Sequence, residues 1–569
     1  MPNMDRDVGS RVHVASTPPA RPKSTRPYAF LVSTTGCARG ISRHLGSAAY
    51  SYAFVFEAFK PVLEQLGVWR LVDRPESSLA FAARRAEAEG FQPVHLAFHP
   101  LQDIYLTPAV PTLAFPFWEF PEIPTRDFGV DTRQNWLRIS NAVDVVAAAC
   151  EFTADAFRRA GARPPLHVVP VPLPDAYFDL PAWDPEHVWT LNCRHLTWGG
   201  EPDVVPADAA ATASTRATKL EPEPDANVSP ASWKRKLWNL GRRGFRAVYP
   251  WLSPAHVDRI GKLKTGLLAL AGRGPASNPH EGPRSLGRRL YHAARSTYNA
   301  LIRPWLSPGA VAGVTKLKVR LMRALGREPI VVIDPLLPSS ELTLGGLVYT
   351  SVFNLGDRRK NETDLLTAFL LAFQNRPDVT LVLKLATNPT REHHEVNLLS
   401  HLYRSLGIRH RCRVVVITEF LSDERMAALM RVTSYYLNTS RAEGACLPLQ
   451  QALAGGRPAV APAHTAMSDF IDDAVAFVVD SHPEPTYWPH DPERRIETAW
   501  DRIVWSSLRD QLLASAAVVD RDPDRYRELA ESARTRMRSY AARDVVARQL
   551  EAALAKLPDR PVGAFAWAS

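Results

Sequence analysis

Cysteine is scarce in this chain. There are five in 569 residues (Cys37, Cys150, Cys193, Cys412 and Cys446), and none are in CxxC spacing. Neither a disulfide framework nor a zinc site is indicated, and a reducing cytoplasm fits best. No apolar run approaches the roughly 20 residues that span a bilayer, so an integral membrane protein is not expected. The polar, proline-rich N-terminus also lacks the apolar stretch of a secretory signal. Acidic residues are nearly missing from 232–327, where 20 Lys and Arg face only Asp258 and Glu281. That segment carries +18 of an overall +10 and leaves the remainder at −8. Any polyanionic partner belongs there.

What is present is a soluble globular composition, 46% apolar and 22% charged, in a chain too long for one ordinary domain. Residues 1–26 read as disordered. From Tyr28, YAFLVS has the pattern of a buried strand and ends in the glycine turn Gly36–Gly40. A helical stretch follows at Ser47–Leu66, with strand signals at Val94–Phe98, Thr112–Phe117, Val143–Ala148 and His167–Val171. A second alternating series starts at Leu347 (LVYTSVF). It runs through the helix Glu362–Phe373, the strand Val379–Leu385, a helix at Glu392–Leu406 and the strand Arg413–Thr418. A helix at Asp423–Val432 and the strand Ser434–Asn438 come next. Alternating strands and helices predict α/β architecture: two doubly wound, Rossmann-like lobes over 27–180 and 342–485. Ligands of such sheets bind beyond the carboxyl ends of the strands. Residues 486–569 read as amphipathic helices.

Between the lobes, 181–341 reads as a long insertion. Glu201–Ser229 is a flexible linker by composition. After it, Pro250-Trp-Leu-Ser-Pro254 recurs as Pro304-Trp-Leu-Ser-Pro308. Each copy couples basic residues with Trp and Leu at helical spacing. Lying on an anionic membrane surface is one reading; packing of the two copies on each other is another. Nucleic acid is the third, and is not expected.

The most informative segment is Ser440–Asp469, SRAEGACLPLQQALAGGRPAVAPAHTAMSD. Glu443 and the small residues Gly444 and Ala445 precede a helix over Leu447–Leu453 that stops at Gly455-Gly456, and a short strand, Pro458–Pro462, follows. A helix start presents unpaired amides and a positive dipole end, which suits phosphate, and a neighbouring carboxylate can accept from sugar hydroxyls. Together these are the parts of a nucleotide-sugar site.

With SVFNLGDRRKNETDLLTAF at Ser351–Phe369 and VVVITEFL at Val414–Leu421, this segment resembles the retaining glycosyltransferases of family 4 (glycosyl transferase group 1), which have the GT-B fold. The resemblance covers Leu347–Ser481, and more loosely the N-terminal lobe through FWEFPEIP at Phe117–Pro124. It implies that Arg359 and Lys360 grip a donor diphosphate and that Glu443 contacts the donor sugar or its phosphates. Further donor-side candidates are Gly444, Ala445, Leu447, Gln451, Lys384, Phe420 and Gly36, with Gly40 on the same turn; His464 is placed to face the sugar. His99 and Glu119 are the acceptor-side candidates. Two positions depart from the family: Gln451 replaces a glutamate, and Asn354 an arginine. The implied activity is metal-independent hexosyl transfer with retention, without a cofactor. The nucleotide sugar is a co-substrate, and the acceptor a saccharide or lipid-linked glycan, in bacterial surface polysaccharide synthesis at the inner face of the plasma membrane. No nucleophile triad and no DxD-type metal motif in a fitting context are seen. The two departures also fit a catalytically silent relative that binds nucleotide sugar or glycan.

Overall fold

The computed structural model describes residues 26–35, 51–127, 133–200, 339–355, 357–387, 391–488, 491, 494 and 496–558. The start of the chain, Gly36 and Gly40, the linker and the basic repeats lie outside these residues.

The N-terminal lobe runs β1 (Tyr28–Thr34), α1 (Ser51–Leu66), β2 (Gly67–Leu71), α2 (Pro75–Ala88), β3 (Gln92–Phe98), β4 (Thr112–Ala114), α3 (Trp136–Ser140), β5 (Val145–Ala148), α4 (Glu151–Arg159), β6 (Leu166–Val168) and α5 (Asp175–Phe178). Its six strands are all parallel, in the order β2-β1-β3-β4-β5-β6. Strand β2 has no sequence signal of its own, because GVWRL follows α1 with no polar turn between them.

The C-terminal lobe begins earlier than the sequence suggests. Strand β7 (Trp189–Trp198) and strand β8 (Ser339–Leu344) pair with each other, and β7 pairs with β11 (Arg413–Ile417), all antiparallel. The insertion read at 181–341 is therefore shorter, since both of its ends belong to this sheet. TLNCRHLTW alternates polar and apolar residues because only part of the strand is covered. The other strands are β9 (Leu347–Phe353), β10 (Val379–Leu385), β12 (Tyr435–Leu437), β13 (Ala459–Ala461) and β14 (Ala476–Val478). The sheet order is β14-β13-β12-β9-β10-β11-β7-β8. Strands β9 and β10 are nearly continuous buried runs, as parallel strands covered on both faces must be. Helices α6 (Glu362–Ala372), α7 (Glu392–Leu406), α8 (Asp423–Val432) and α9 (Leu447–Ala454) make the crossovers.

The tail is not all helix. Strands β15 (Ser481–Tyr487) and β16 (Glu497–Ile503) form a separate antiparallel hairpin. Pro483 and Pro485 fit there because β15 is paired on one side only. Helices α10 (Trp505–Arg521), α11 (Pro523–Ala541) and α12 (Arg543–Leu554) follow. Helix α10 buries Leu508, Leu512 and Ala516 in the C-terminal core. Helix α12 instead returns to the N-terminal lobe, where Val546, Ala547, Leu550, Ala553 and Leu554 join Val55, Phe59 and Leu113. Their spacing is that of one helix face. Among the described residues, no helix is long and apolar enough to cross a membrane.

Candidate functional site

Strands β9 and β12 are neighbours, so the loops leaving their carboxyl ends lie side by side. After β9 the chain makes a tight turn, Arg358–Lys360, capped by the Asp357 carboxylate, which accepts from the Arg359 amide. Asn361 then adopts a left-handed conformation (φ 57°) that swings the chain into α6; Asn tolerates this better than most residues. After β12, Asn438 accepts from the Ser440 amide, and the Arg441 amide donates to the Arg359 carbonyl at 2.6 Å. The two loops are thereby joined through their backbones.

Their side chains converge on one carboxylate. Glu443, 3% exposed, accepts from Arg359 Nη1 at 2.9 Å and from Lys360 Nζ at 2.5 Å. Arg359 also donates to the Ala442 carbonyl at 2.7 Å, and its Nε lies 2.9 Å from Asp357 and 3.4 Å from Glu119. Burial alone pushes the Glu443 carboxyl up, but Lys360 and Arg359 outweigh it and hold its pKa at about 2. Burial works against the charge on Arg359, yet Glu443, Glu119 and Asp357 raise its pKa above the ordinary value. A permanently ionised carboxylate accepts hydrogen bonds but cannot deliver a proton near neutrality. Three of the four non-glycine residues with positive φ among the described residues, Asn361, Cys446 and Thr465, flank this cluster. Thr465 Oγ1 accepts from the Glu443 amide at 3.0 Å, and Asn438 Nδ2 donates to Cys446 Sγ. Such strain, on the order of 1–3 kcal/mol per residue, collects at functional sites.

The amide end of α9 is narrower than the sequence implied. Pro448 has no N–H, and the amides of Leu449 and Gln450 both donate to the Cys446 carbonyl. The amides of Gly444 to Leu447 meet no backbone acceptor among the described residues, the arrangement that backbone anion sites use. Gly444 packs against the other lobe: a Cβ there would lie 3.4 Å from the Trp118 amide nitrogen. Ala445 is buried and its carbonyl accepts from Gln450 Nε2. Leu447 packs against the N-terminal core, and Gln451 is half-buried on α9.

Other candidates stand elsewhere. Lys384 is buried and donates to the Leu385 carbonyl at 2.6 Å. Burial lowers its pKa to about 8, and its charged neighbours are Glu392, Glu419 and Arg194, not Glu443. It therefore stands apart from Arg359, Lys360 and Glu443, because strand alternation turns its side chain to the face of β10 opposite Leu383 and Leu385. Below pH 8 the full cost of burying this charge is present; between 8 and 10.5 the folded state releases its proton first and the cost disappears. Lys384→Met is therefore expected to gain about 1–3 kcal/mol at pH 7, with the difference in melting temperature closing by about pH 10.5. Both ring nitrogens of His464 are engaged within the protein. Its Nε2 donates to the Ser440 carbonyl at 2.9 Å, so Nδ1 accepts from Ser481 Oγ at 2.8 Å. Burial lowers the pKa of His464, which therefore braces the Ser440–Glu443 loop. Phe420 is exposed in the loop after β11. His99 sits buried at the end of β3, its Nδ1 bonded to Thr35 Oγ1, with burial lowering its pKa to about 4. Glu119, read as acceptor-side, meets Arg359, read as donor-side, across the lobes.

Sequence reasoning passed over Asp357, Thr465 and Arg457. Asp357 and Thr465 lie within the segments that carry the resemblance but were given no role. Arg457 was overshadowed by the Gly-Gly stop before it. It is fully buried and donates to the carbonyls of Met430, Arg431, Gly455 and Pro181. Among the described residues, no group of three or more His, Cys, Asp or Glu side chains is placed to hold a metal ion.

No known family model matches the chain, and no curated protein does. Among solved structures, the chain is similar to HepE of Anabaena in complex with UDP and glucose, at 13% identity over 93% of this chain and 99% of that one, with a TM-score of 0.42. A glycosyltransferase of Rickettsia africae matches at 9% identity over 94% and 100%, TM-score 0.44. The sucrose-phosphate synthase of Thermosynechococcus elongatus matches at 11% identity over 92% and 97%, TM-score 0.40.

Proposed function

We propose that this protein is a retaining, metal-independent glycosyltransferase that moves a hexose from a nucleotide sugar to a saccharide or lipid-linked glycan. The observation that carries the reading is the convergence of Arg359, Lys360 and Glu443 beside the Gly444–Leu447 amides. In this reading the donor diphosphate lies on that turn. Arg359 and Lys360 neutralise its charge as the bond from the anomeric carbon to the phosphate oxygen breaks. The acceptor oxygen bonds to the anomeric carbon on the same face, and its proton passes to a phosphate oxygen of the leaving diphosphate. Glu443, always ionised, positions sugar hydroxyls and the two cations. A cytoplasmic protein working at an anionic membrane face, through 232–327, suits a lipid-linked acceptor in surface polysaccharide synthesis.

A thermal-shift screen of UDP-, GDP- and ADP-sugars in EDTA, with wild type and Lys360→Ala, tests this. One donor is expected to raise the melting temperature of the wild type by several degrees, and the variant to lose the shift; no shift with any donor overturns the reading. A second reading, a nucleotide-sugar binder without transfer, is favoured by the full engagement of both cations by Glu443. Donor binding without release of nucleoside diphosphate in any acceptor mixture selects it.

A further inference from the structure

The direction in which Glu443 presents its carboxylate is decided by the backbone on both sides of its Cα. The peptide that enters Glu443 is held at both ends. Its carbonyl, that of Ala442, accepts from Arg359 Nη1 at 2.7 Å, and its amide donates to Thr465 Oγ1 at 3.0 Å. The peptide that leaves Glu443 is held by the next residue of the same turn, since the Ala466 amide donates to the Glu443 carbonyl at 3.1 Å. Thr465 is itself fixed. Its hydroxyl donates to the His464 carbonyl at 2.8 Å, which leaves a lone pair for the Glu443 amide. The residue is buried, and the Ser468 hydroxyl secures its carbonyl at 2.7 Å.

The position is a costly one for threonine. Its φ is 52°, in the left-handed region that glycine enters freely and that a branched Cβ makes unfavourable. Strained residues of this kind gather at ligand clamps and active sites. Here the side chain supplies what glycine could not, an oxygen on the Glu443 amide.

We infer that Thr465 is a positioning residue whose hydroxyl aims the Glu443 carboxylate at the sugar moiety of the donor. The inference rests on the transferase reading, in which Glu443 accepts from sugar hydroxyls, and adds to it the group that sets that carboxylate. Arg359 and Lys360 stand on the other loop, after β9, with their own cap at Asp357. The grip on the diphosphate is therefore expected to survive loss of the hydroxyl, while recognition of the sugar is not.

The test is calorimetric titration of UDP-, GDP- and ADP-sugars, and separately of UDP, GDP and ADP, into wild type, Thr465→Val and Thr465→Ser. Valine keeps the branched Cβ, and with it the strain, and removes only the hydroxyl. Thr465→Val is expected to bind the preferred nucleotide sugar about tenfold more weakly, the effect of one lost hydrogen bond, and to keep the wild-type affinity for the nucleoside diphosphate. Thr465→Ser restores the affinity for the sugar nucleotide. Thr465→Ala, smaller and less strained, answers the same question should the valine variant not fold. An unchanged affinity for the nucleotide sugar, an equal loss for sugar and diphosphate, or a serine variant as weak as valine overturns the inference and leaves the transferase reading intact. No binding of either ligand class by the wild type overturns that reading, and the inference with it.

Discussion

Glu443→Ala is expected to abolish donor-dependent transfer and to destabilise the fold by about 2–4 kcal/mol, because two half-buried cations lose the buried carboxylate they share. Arg359 keeps Asp357 and Glu119, but Lys360 loses its 2.5 Å contact. Glu443→Gln retains an acceptor oxygen and shape, and its penalty is smaller. Transfer by the Gln variant is expected to fall by about 10²–10³, the usual effect of removing one preorganised electrostatic contact. The pH dependence separates charge from shape. The carboxyl titrates near 2 in the folded state against 4.5 ordinarily, so its stabilisation is complete above about pH 5 and is lost as pH falls toward 2. Melting temperatures of wild type and Glu443→Gln, measured across that range, are expected to differ by a constant amount above pH 5 and to converge below it. A difference that persists unchanged to pH 2 would show that the cations do not hold the carboxylate in its charged form.

Arg457→Leu is the second large effect. Among the described residues this guanidinium has no carboxylate partner; it is satisfied by backbone carbonyls at the ends of two helices, Met430 and Arg431 on α8 and Gly455 just after α9, together with Pro181. Helix carboxyl ends carry partial negative charge, which is how a lone buried cation is tolerated. Its pKa nonetheless falls to about 10 through burial, a sign that the site is barely sufficient. Leucine leaves several buried carbonyls unpaired at roughly 1–3 kcal/mol each. The melting temperature is expected to drop by roughly 5–10 °C. Arg457→Lys keeps the charge but cannot reach carbonyls in several directions, so it recovers only part of the loss. A Lys variant as stable as wild type would mean that charge alone matters there.

Both effects show what the sequence makes legible. Elements with strong local signals were readable: β9 and β10 as unbroken apolar runs, α7 and α8 at their full extents, and α9 with its Gly455 stop. Arg359, Lys360 and Glu443 were readable as members of one site because the order of strand, loop and helix in the resemblance brings adjacent loops together; that Glu443 ion-pairs both cations was not. The direction of Lys384 was not, since one residue of strand phase decides which face it serves. The pairing of Glu119 with Arg359 joins residues 240 positions apart and depends on how two lobes meet. The hairpin β15–β16 was hidden by two prolines, and β7 by its mixed polarity on a sheet margin.

The placement of α12 has a consequence for biogenesis. Val546 to Leu554 complete the hydrophobic interior whose first members are Phe30 and Val32, more than 500 positions earlier. A nascent N-terminal lobe therefore emerges from the ribosome with an open flank, and has to wait for the whole second lobe to be synthesised before that flank is sealed. Chaperone demand during translation should concentrate in that interval.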